Sequence, residues 1–180
     1  EHGELSVDRA ETPEAIGAFA DTFLALEAQS WKGRAGSSLA NDPACARFFR
    51  ESLLGAAQTG RVEGLSLRLD GEPIAMLATF LTSPGAFSFK TTFDERFARY
   101  SPGVLLQKEN LDLLQRGEIA WCDSCAAPDR PMIDHFWREQ RSVVSRNIAI
   151  GGGLRRALGN RLIAFESARH AVPKTTESRS

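Results

Sequence analysis

The sequence lacks most of what marks a specialised protein class. Its 180 residues hold only three cysteines, Cys45, Cys122 and Cys125, too few and too scattered for a secreted disulfide framework. A reducing compartment, the cytoplasm, is therefore expected. No apolar run approaches the length of a membrane span, so none is predicted. An excess of one charge is also missing. The 22 Lys and Arg face 23 Asp and Glu, a formal net charge of -1, which removes the electrostatic footprint that nucleic acid or an anionic surface requires. Nothing repeats and nothing is low-complexity. There is neither a Gly-Lys-Ser/Thr phosphate loop nor a GxGxxG fingerprint. The three histidines have no Ser or Cys nucleophile context, which argues against a hydrolytic triad. Cys122-x-x-Cys125 has no second ligand pair of CxxC or HxxxH type, and it falls at a strand end, whereas a redox pair opens a helix. No metal is expected.

What is present reads as one domain of ordinary size over residues 1–170, with a polar tail at 171–180. The chain opens on Glu1 and not on methionine, and the expectation is a C-terminal portion of a longer protein. Leu5 and Val7 alternate with polar neighbours in a first strand over Gly3–Ala10. Thr12-Pro13-Glu14 opens a helix by cap, proline and acidic first turn, with Ile16, Phe19, Phe23 and Leu26 as its stripe, running to about Trp31. After a loop over Lys32–Asn41, Asp42-Pro43 opens a second helix to about Gly60. Strands follow at Arg61–Leu69 and, beyond an Asp70-Gly71 hairpin turn, at Pro73–Leu81. Later elements are a strand over Glu118–Cys125, a proline-started helix or loop over 128–140, a strand over Arg141–Ile150 and a basic amphipathic helix over Leu154–His170.

The stretch from Gly85 to Gly117 organises the rest. Phe87, Phe89 and Thr91 alternate with Ser88 and Lys90, the period of a half-buried strand. A polar loop, Asp94–Tyr100, carries Arg96 and Arg99. Ser101-Pro102-Gly103 then opens a helix, with Ser as N-cap and Pro where a donor is spare. Leu105, Leu111 and Leu114 are its expected apolar face, and Gly117 its stop. A helix start bare of side chains, with arginines close by, suits a phosphate. Ordinary capping is the alternative.

These residues carry a resemblance. Lys90-x-x-Phe93-Asp94-x-x-Phe97-x-x-Tyr100-Ser101-Pro102-Gly103 resembles the BioF2-like, or CelD/BcsL-type, branch of the GNAT acetyltransferases. So do Leu26-Glu27-x-x-Ser30-Trp31-Lys32-Gly33-x-x-Gly36 and the run Asp123-Ser124-x-Ala126-x-Pro128-Asp129-x-Pro131-Met132-Ile133-Asp134-His135-x-Trp137-Arg138, in the family's order. The resemblance implies an α/β GNAT fold, a mixed and mostly antiparallel sheet flanked by helices. It implies acetyl-CoA or another acyl-CoA as co-substrate. In this family the loop before the helix cradles the coenzyme A pyrophosphate through Gln/Arg-x-x-Gly-x-Gly/Ala. The register here is Tyr100-x-x-Gly103-x-Leu105, with the glycine kept.

On that footing Arg96, Arg99 and the backbone of Tyr100, Ser101, Pro102, Gly103 and Val104 are candidates to hold the pyrophosphate. A backbone N–H on Phe89–Phe93, including Thr91, is a candidate to polarise the thioester carbonyl. Asp123, near the outer end of its strand, is the first candidate for the base that takes the proton from an amine; its alternative role is to start a turn or cap a helix. Glu27 and Glu109 are rivals, or else solvated or salt-bridged helix residues. Trp31 and Lys32 are candidates to line the acceptor pocket, Trp31 otherwise being core, and His135 is a substrate contact or a packing residue. The expected reaction is direct acyl transfer to an amine or hydroxyl of a small molecule or saccharide, with family association pointing to polysaccharide or cell-envelope biosynthesis. A second GNAT domain in the full-length chain or a homodimer is the expected partner. Two other readings stand beside this: a Fem-type aminoacyl-tRNA-dependent transferase, and a non-catalytic half of a tandem protein.

Overall fold

The computed structural model describes residues 3–126, 133, 136–144 and 151–170, with only the backbone for the last four. Two compact units divide it, Glu1–Arg138 and Glu139–Ser180. The first is a five-stranded sheet in the order β1-β2-β3-β4-β5. Its strands are β1 (Leu5–Ala10), β2 (Val62–Leu69), β3 (Glu72–Thr82), β4 (Gly85–Phe93) and β5 (Trp121–Asp123). The first four pair antiparallel, and β5 runs parallel to β4. The expected mixed, mostly antiparallel α/β architecture is what the chain adopts.

The helices start where the sequence says they should. In α1 (Pro13–Gln29) Thr12 Oγ1 accepts from Ala15 N at 3.2 Å, and in α3 (Pro43–Ala57) Asp42 Oδ1 accepts from Ala44 N at 2.8 Å. The expected end of the first helix near Trp31 comes slightly early. Ser30 Oγ donates to the Glu27 carbonyl at 2.7 Å, and the chain restarts as a single turn, α2 (Trp31–Arg34). The Asp70-Gly71 turn forms, with φ of 50° and 83°, the mirror-image geometry that matches the twist of a hairpin.

Alternation along the strands sends side chains to opposite faces. Ile16, Phe19 and Phe23 of α1, Phe49 and Leu53 of α3, and Val62, Met76 and Ala78 of the sheet close one face. Leu65, Leu67, Ala75 and Leu77 turn the other way and meet Leu106 of α4 (Pro102–Asn110). Phe23 and Phe49 are fully buried, each contributing about 1.5–3 kcal/mol of transfer free energy.

Four local expectations are corrected. The loop Asp94–Tyr100 is coiled into a 3-10 helix over Glu95–Tyr100. Ser101 does not cap α4: its φ is 52°, a left-handed conformation, and its side chain makes no cap hydrogen bond. The apolar face of α4 is not Leu105, Leu111 and Leu114. Leu105 and Leu114 are exposed, and Leu106, Gln107, Asn110 and Leu113 point inward, because positions i, i+1, i+4 and i+7 share one side of a helix while 105 and 114 lie on opposite sides. The strand expected over Glu118–Cys125 shrinks to Trp121–Asp123, after which Asp123 Oδ1 turns the chain by accepting from Cys125 N at 2.8 Å.

Of the segment 128–140, Ile133 and residues 136–140 are described; Ile133 is buried and Trp137 Nε1 donates to the Cys122 carbonyl at 3.0 Å. Residues 141–144 are not strand, and 145–150 lie outside the described residues. The second unit contains α5 (Gly153–His170), the expected basic helix. No helix among the described residues is long and apolar enough to cross a membrane.

Candidate functional site

The site begins where the sheet forks. Gly85, Ala86 and Phe87 pair with Trp121, Cys122 and Asp123, and there β5 ends. Beyond that point β4 continues to Phe93 with no strand beside it on the β5 side among the described residues. On its other side the register to β3 slips: Ala78 faces Lys90 and Thr79 faces Ser88, leaving Phe89 as the extra residue of a bulge. A bulge re-aims backbone groups and ends regular pairing. Asp123 therefore stands at the fork, level with Phe87 and next to an irregular stretch of backbone.

The strand then delivers the chain to the start of α4. Asp94 accepts from Arg96 N at 2.9 Å, and its carboxylate also takes Arg96 Nε and Nη2, at 2.9 and 2.6 Å. That pairing holds the Asp94 carboxyl below its usual range. Arg99 lies over the Tyr100 ring at 4.6 Å. The left-handed Ser101 turns its carbonyl into the first turn, where it accepts from Val104 N at 2.9 Å and Leu105 N at 3.2 Å. Pro102 has no N–H, so Gly103 carries the first amide donor of the helix. Phe93, Ala98, Ser101, Pro102, Gly103 and Val104 line a depression of about 180 Å³ at this end. An anionic group of a coenzyme fits the chemistry of that start. Arg96 is already committed to Asp94, so it would reach such a group only by exchanging partners.

A second set of residues approaches β4 from the α1 side. Glu27 is 1% exposed; Oε1 takes Lys32 Nζ at 3.0 Å and Oε2 takes Leu39 N at 2.8 Å. Lys32 Nζ also donates to the Thr91 carbonyl at 3.1 Å, so α2 is tied to the forked strand. Glu95 makes the parallel tie to the loop: Oε1 accepts from Trp31 N at 2.9 Å and Oε2 from Arg34 Nη2. This second bond in particular holds the Glu95 carboxyl below its usual range. Trp31 itself is half exposed and not core.

Of the three candidate bases, Asp123 alone stands at the fork. Glu27 is locked in its buried ion pair. Glu109 is exposed near the far end of α4, where its carbonyl accepts from Arg9 Nη2 at 3.3 Å. His135 lies outside the described residues. Arg9 also holds the buried Glu63 at 2.6 Å, and Arg116 Nη2 lies 2.7 Å from the other carboxylate oxygen, an ionic contact off the hydrogen-bond line. Burial, then Asp123 and Cys122, push the Cys125 thiol up to about 11, and burial raises Cys122 as well, so neither is a thiolate at neutral pH. No cluster of three His, Cys, Asp or Glu able to hold a metal occurs among the described residues.

Sequence reasoning passed over Glu95, Gln107 and Asn110. Gln107 is buried and donates to Thr91 Oγ1 at 3.5 Å. The signal that could have found Gln107 and Asn110 was helical: both share a face with the buried Leu106. A larger cleft, about 530 Å³, lies at the opposite end of β4 beside Arg61, Ser83, Arg116 and Glu118. Its polar groups are largely spent, Arg116 on Glu63 and Ser83 Oγ on the Glu118 carbonyl at 3.1 Å.

Comparison with known proteins agrees with the fold. The acetyltransferase (GNAT) domain family matches residues 1–130. No curated protein sequence matches. Among solved structures, a GCN5-related N-acetyltransferase from Ralstonia eutropha JMP134 superposes with a TM-score of 0.62 at 15% identity, over 81% of this chain and 99% of that one. An aminoglycoside acetyltransferase from an uncultured soil metagenomic sample, in complex with sisomicin, gives 0.58 at 13%, over 82% and 97%. AAC(6')-Iy in complex with a CoA-linked bisubstrate analogue gives 0.57 at 12%, over 81% and 99%. The chain belongs to the acetyltransferase (GNAT) domain family.

Proposed function

We propose that this domain transfers an acyl group from acyl-CoA to an acceptor amine in one direct step at the β4–β5 fork. The observation that carries the reading is the fork itself. A strand edge that no described strand covers beyond Phe87, a bulge at Phe89 and a carboxylate at Asp123 meet on β4, the strand that runs on to a helix start that favours anions. Coenzyme A supplies the activated thioester. The helix start at Ser101–Val104 receives its pyrophosphate, with Arg99 near and Arg96 available on release from Asp94. A backbone N–H between Phe89 and Phe93 polarises the carbonyl, and a donor fixed in place before reaction lowers the barrier without reorganisation. Asp123, directly or through a water, takes the ammonium proton so that the amine lone pair can attack; the C–N bond forms, the thioester C–S bond breaks, and CoA leaves as its thiol after the sulfur takes up the proton the amine loses. Proximity supplies much of the remaining rate.

The acceptor enters from the side of α2. Trp31 offers an exposed apolar face there, and Lys32 and Glu95 fix the segment against β4. A sugar or lipid-linked amine is the proposed acceptor class, in line with the resemblance to the BioF2-like branch, and the partner is a second GNAT half or a second copy. One observation favours a second reading, the non-catalytic half. Arg96 is spent on Asp94 and Arg99 lies over the Tyr100 ring, which leaves the helix start with little free positive charge. Release of free CoA from acetyl-CoA, measured over a panel of amino sugars, polyamines and simple amines, separates the two. Acceptor-dependent release supports the enzyme; CoA binding with no release on any acceptor supports the architectural half.

A further inference from the structure

A buried polar cluster sits at the fork, and the reaction as described makes no use of it. Asn110, the last residue of α4, is 1% exposed. Its Nδ2 donates to Ser88 Oγ at 3.2 Å and lies 3.9 Å from Cys122 Sγ, and its Oδ1 accepts from Thr79 Oγ1 at 3.4 Å. Ser88 Oγ and Cys122 Sγ are 3.5 Å apart. One amide on α4 thus touches β3, β4 and β5 at once. Its position along the strands is particular. Ser88 follows Phe87, the last β4 residue paired to β5, and precedes the bulged Phe89; Thr79 is the β3 residue facing Ser88 at that bulge. Cys122 is the residue before Asp123.

Burying such groups is costly unless they are bonded, and a bonded set fixes geometry that apolar contacts leave adjustable. The other end of α4, about 13 Å away for a helix of nine residues, is the anion-favouring start at Pro102. α4 is therefore a rigid bar with the phosphate end at one terminus and the fork at the other.

We propose that Asn110 is a positioning residue: it sets how β5 departs from β4, and so places Asp123 and the bulged backbone relative to the helix start. The proposal rests on the acyl-transfer reading for its catalytic consequence but not for its structural one.

The experiment compares the full chain with its Asn110→Ala and Ser88→Ala variants, the latter removing a single hydroxyl in case the former does not fold. Two quantities are read: amide hydrogen exchange at Trp121–Asp123, and kcat and KM for acetyl-CoA normalised to folded protein. Expected are faster exchange at Trp121–Asp123 with α1 and β2 unchanged, and kcat lowered about tenfold to hundredfold with KM within about threefold, the cost of misplacing reacting groups by a fraction of an ångström to an ångström. Unchanged exchange at Trp121–Asp123 overturns the proposal. So does a fall in thermal stability with kcat per folded molecule retained, the mark of a merely structural residue. If the wild-type chain transfers nothing, the acyl-transfer reading fails, and the exchange result alone decides whether Asn110 holds the fork.

Discussion

At the scale of single residues, the turn that Asp123 forms and the base that it is proposed to be can be pulled apart. One carboxylate oxygen accepts the Cys125 N–H and turns the chain out of β5. Asparagine keeps an acceptor oxygen for that turn and loses basicity. Asp123→Asn should therefore leave the thermal midpoint close to wild type and lower turnover by about a hundredfold to ten-thousandfold, the usual worth of a general base. Acyl transfer normalised to folded protein checks this. Full activity in the variant would move the proton transfer to bound water or to another group, Glu27 being poorly placed because its carboxylate is held by Lys32 and the Leu39 N–H. Asp123 was legible in sequence as a residue at a strand end. Its turn-forming role stays one of two alternatives in the sequence, because only the bond to Cys125 N, made where Cys125 turns left-handed (φ 52°), shows it.

At the scale of elements, the fork depends on how closely β5 can lie against β4. Gly85 sits opposite Trp121, and a Cβ at Gly85 would fall 2.2 Å from the indole ring. Gly85→Ala must displace Trp121, whose ring also meets Phe87 edge-on at 5.3 Å. Overpacking of this kind costs about 1–3 kcal/mol. Chemical denaturation with tryptophan fluorescence as the probe should show the loss, and unchanged stability would mean that β5 is not held by this contact. The tie between α2 and the loop before α4 should respond to acid. Arg34 holds Glu95, and Arg96 holds Asp94, each below its usual carboxylate value. Carboxyls lowered on folding stabilise above their unfolded pKa, and that contribution is lost as pH falls through the lowered folded value. In Arg34→Ala, Glu95 returns toward its ordinary value, so hydrogen-exchange protection over residues 94–100 should fade at a higher pH than in wild type. Identical pH profiles would show that the Glu95 contacts do not order the loop.

At the scale of the whole molecule, the sheet and its flanking helices were readable because local signals agreed with the global fold. Caps at Thr12 and Asp42, the Asp70-Gly71 turn and the alternation in β2 to β4 all point one way. The reading failed where tertiary geometry overrode those signals. Ser101 looks like a cap, yet the chain arriving from the 3-10 turn at Glu95–Tyr100 forces it left-handed. Leu105, Leu111 and Leu114 look like an inner face, yet the side of the helix that packs on the sheet is the one carrying Leu106, Gln107 and Asn110. Buried polar residues such as Asn110 give no hydrophobic signal at all. What remains to decide is the claim that joins these parts, that the start of α4 is where coenzyme A binds. Ser101 is exposed, and its left-handed backbone suits aspartate, so Ser101→Asp adds a negative charge at the site with little cost to the fold. The measurement is a calorimetric titration of CoA into the wild-type chain and into Ser101→Asp, with thermal midpoints recorded for both. The account predicts binding to wild type, weakened by about tenfold or more in the variant by charge repulsion at contact range, with the midpoint nearly unchanged; equal CoA affinity in the two proteins would contradict it.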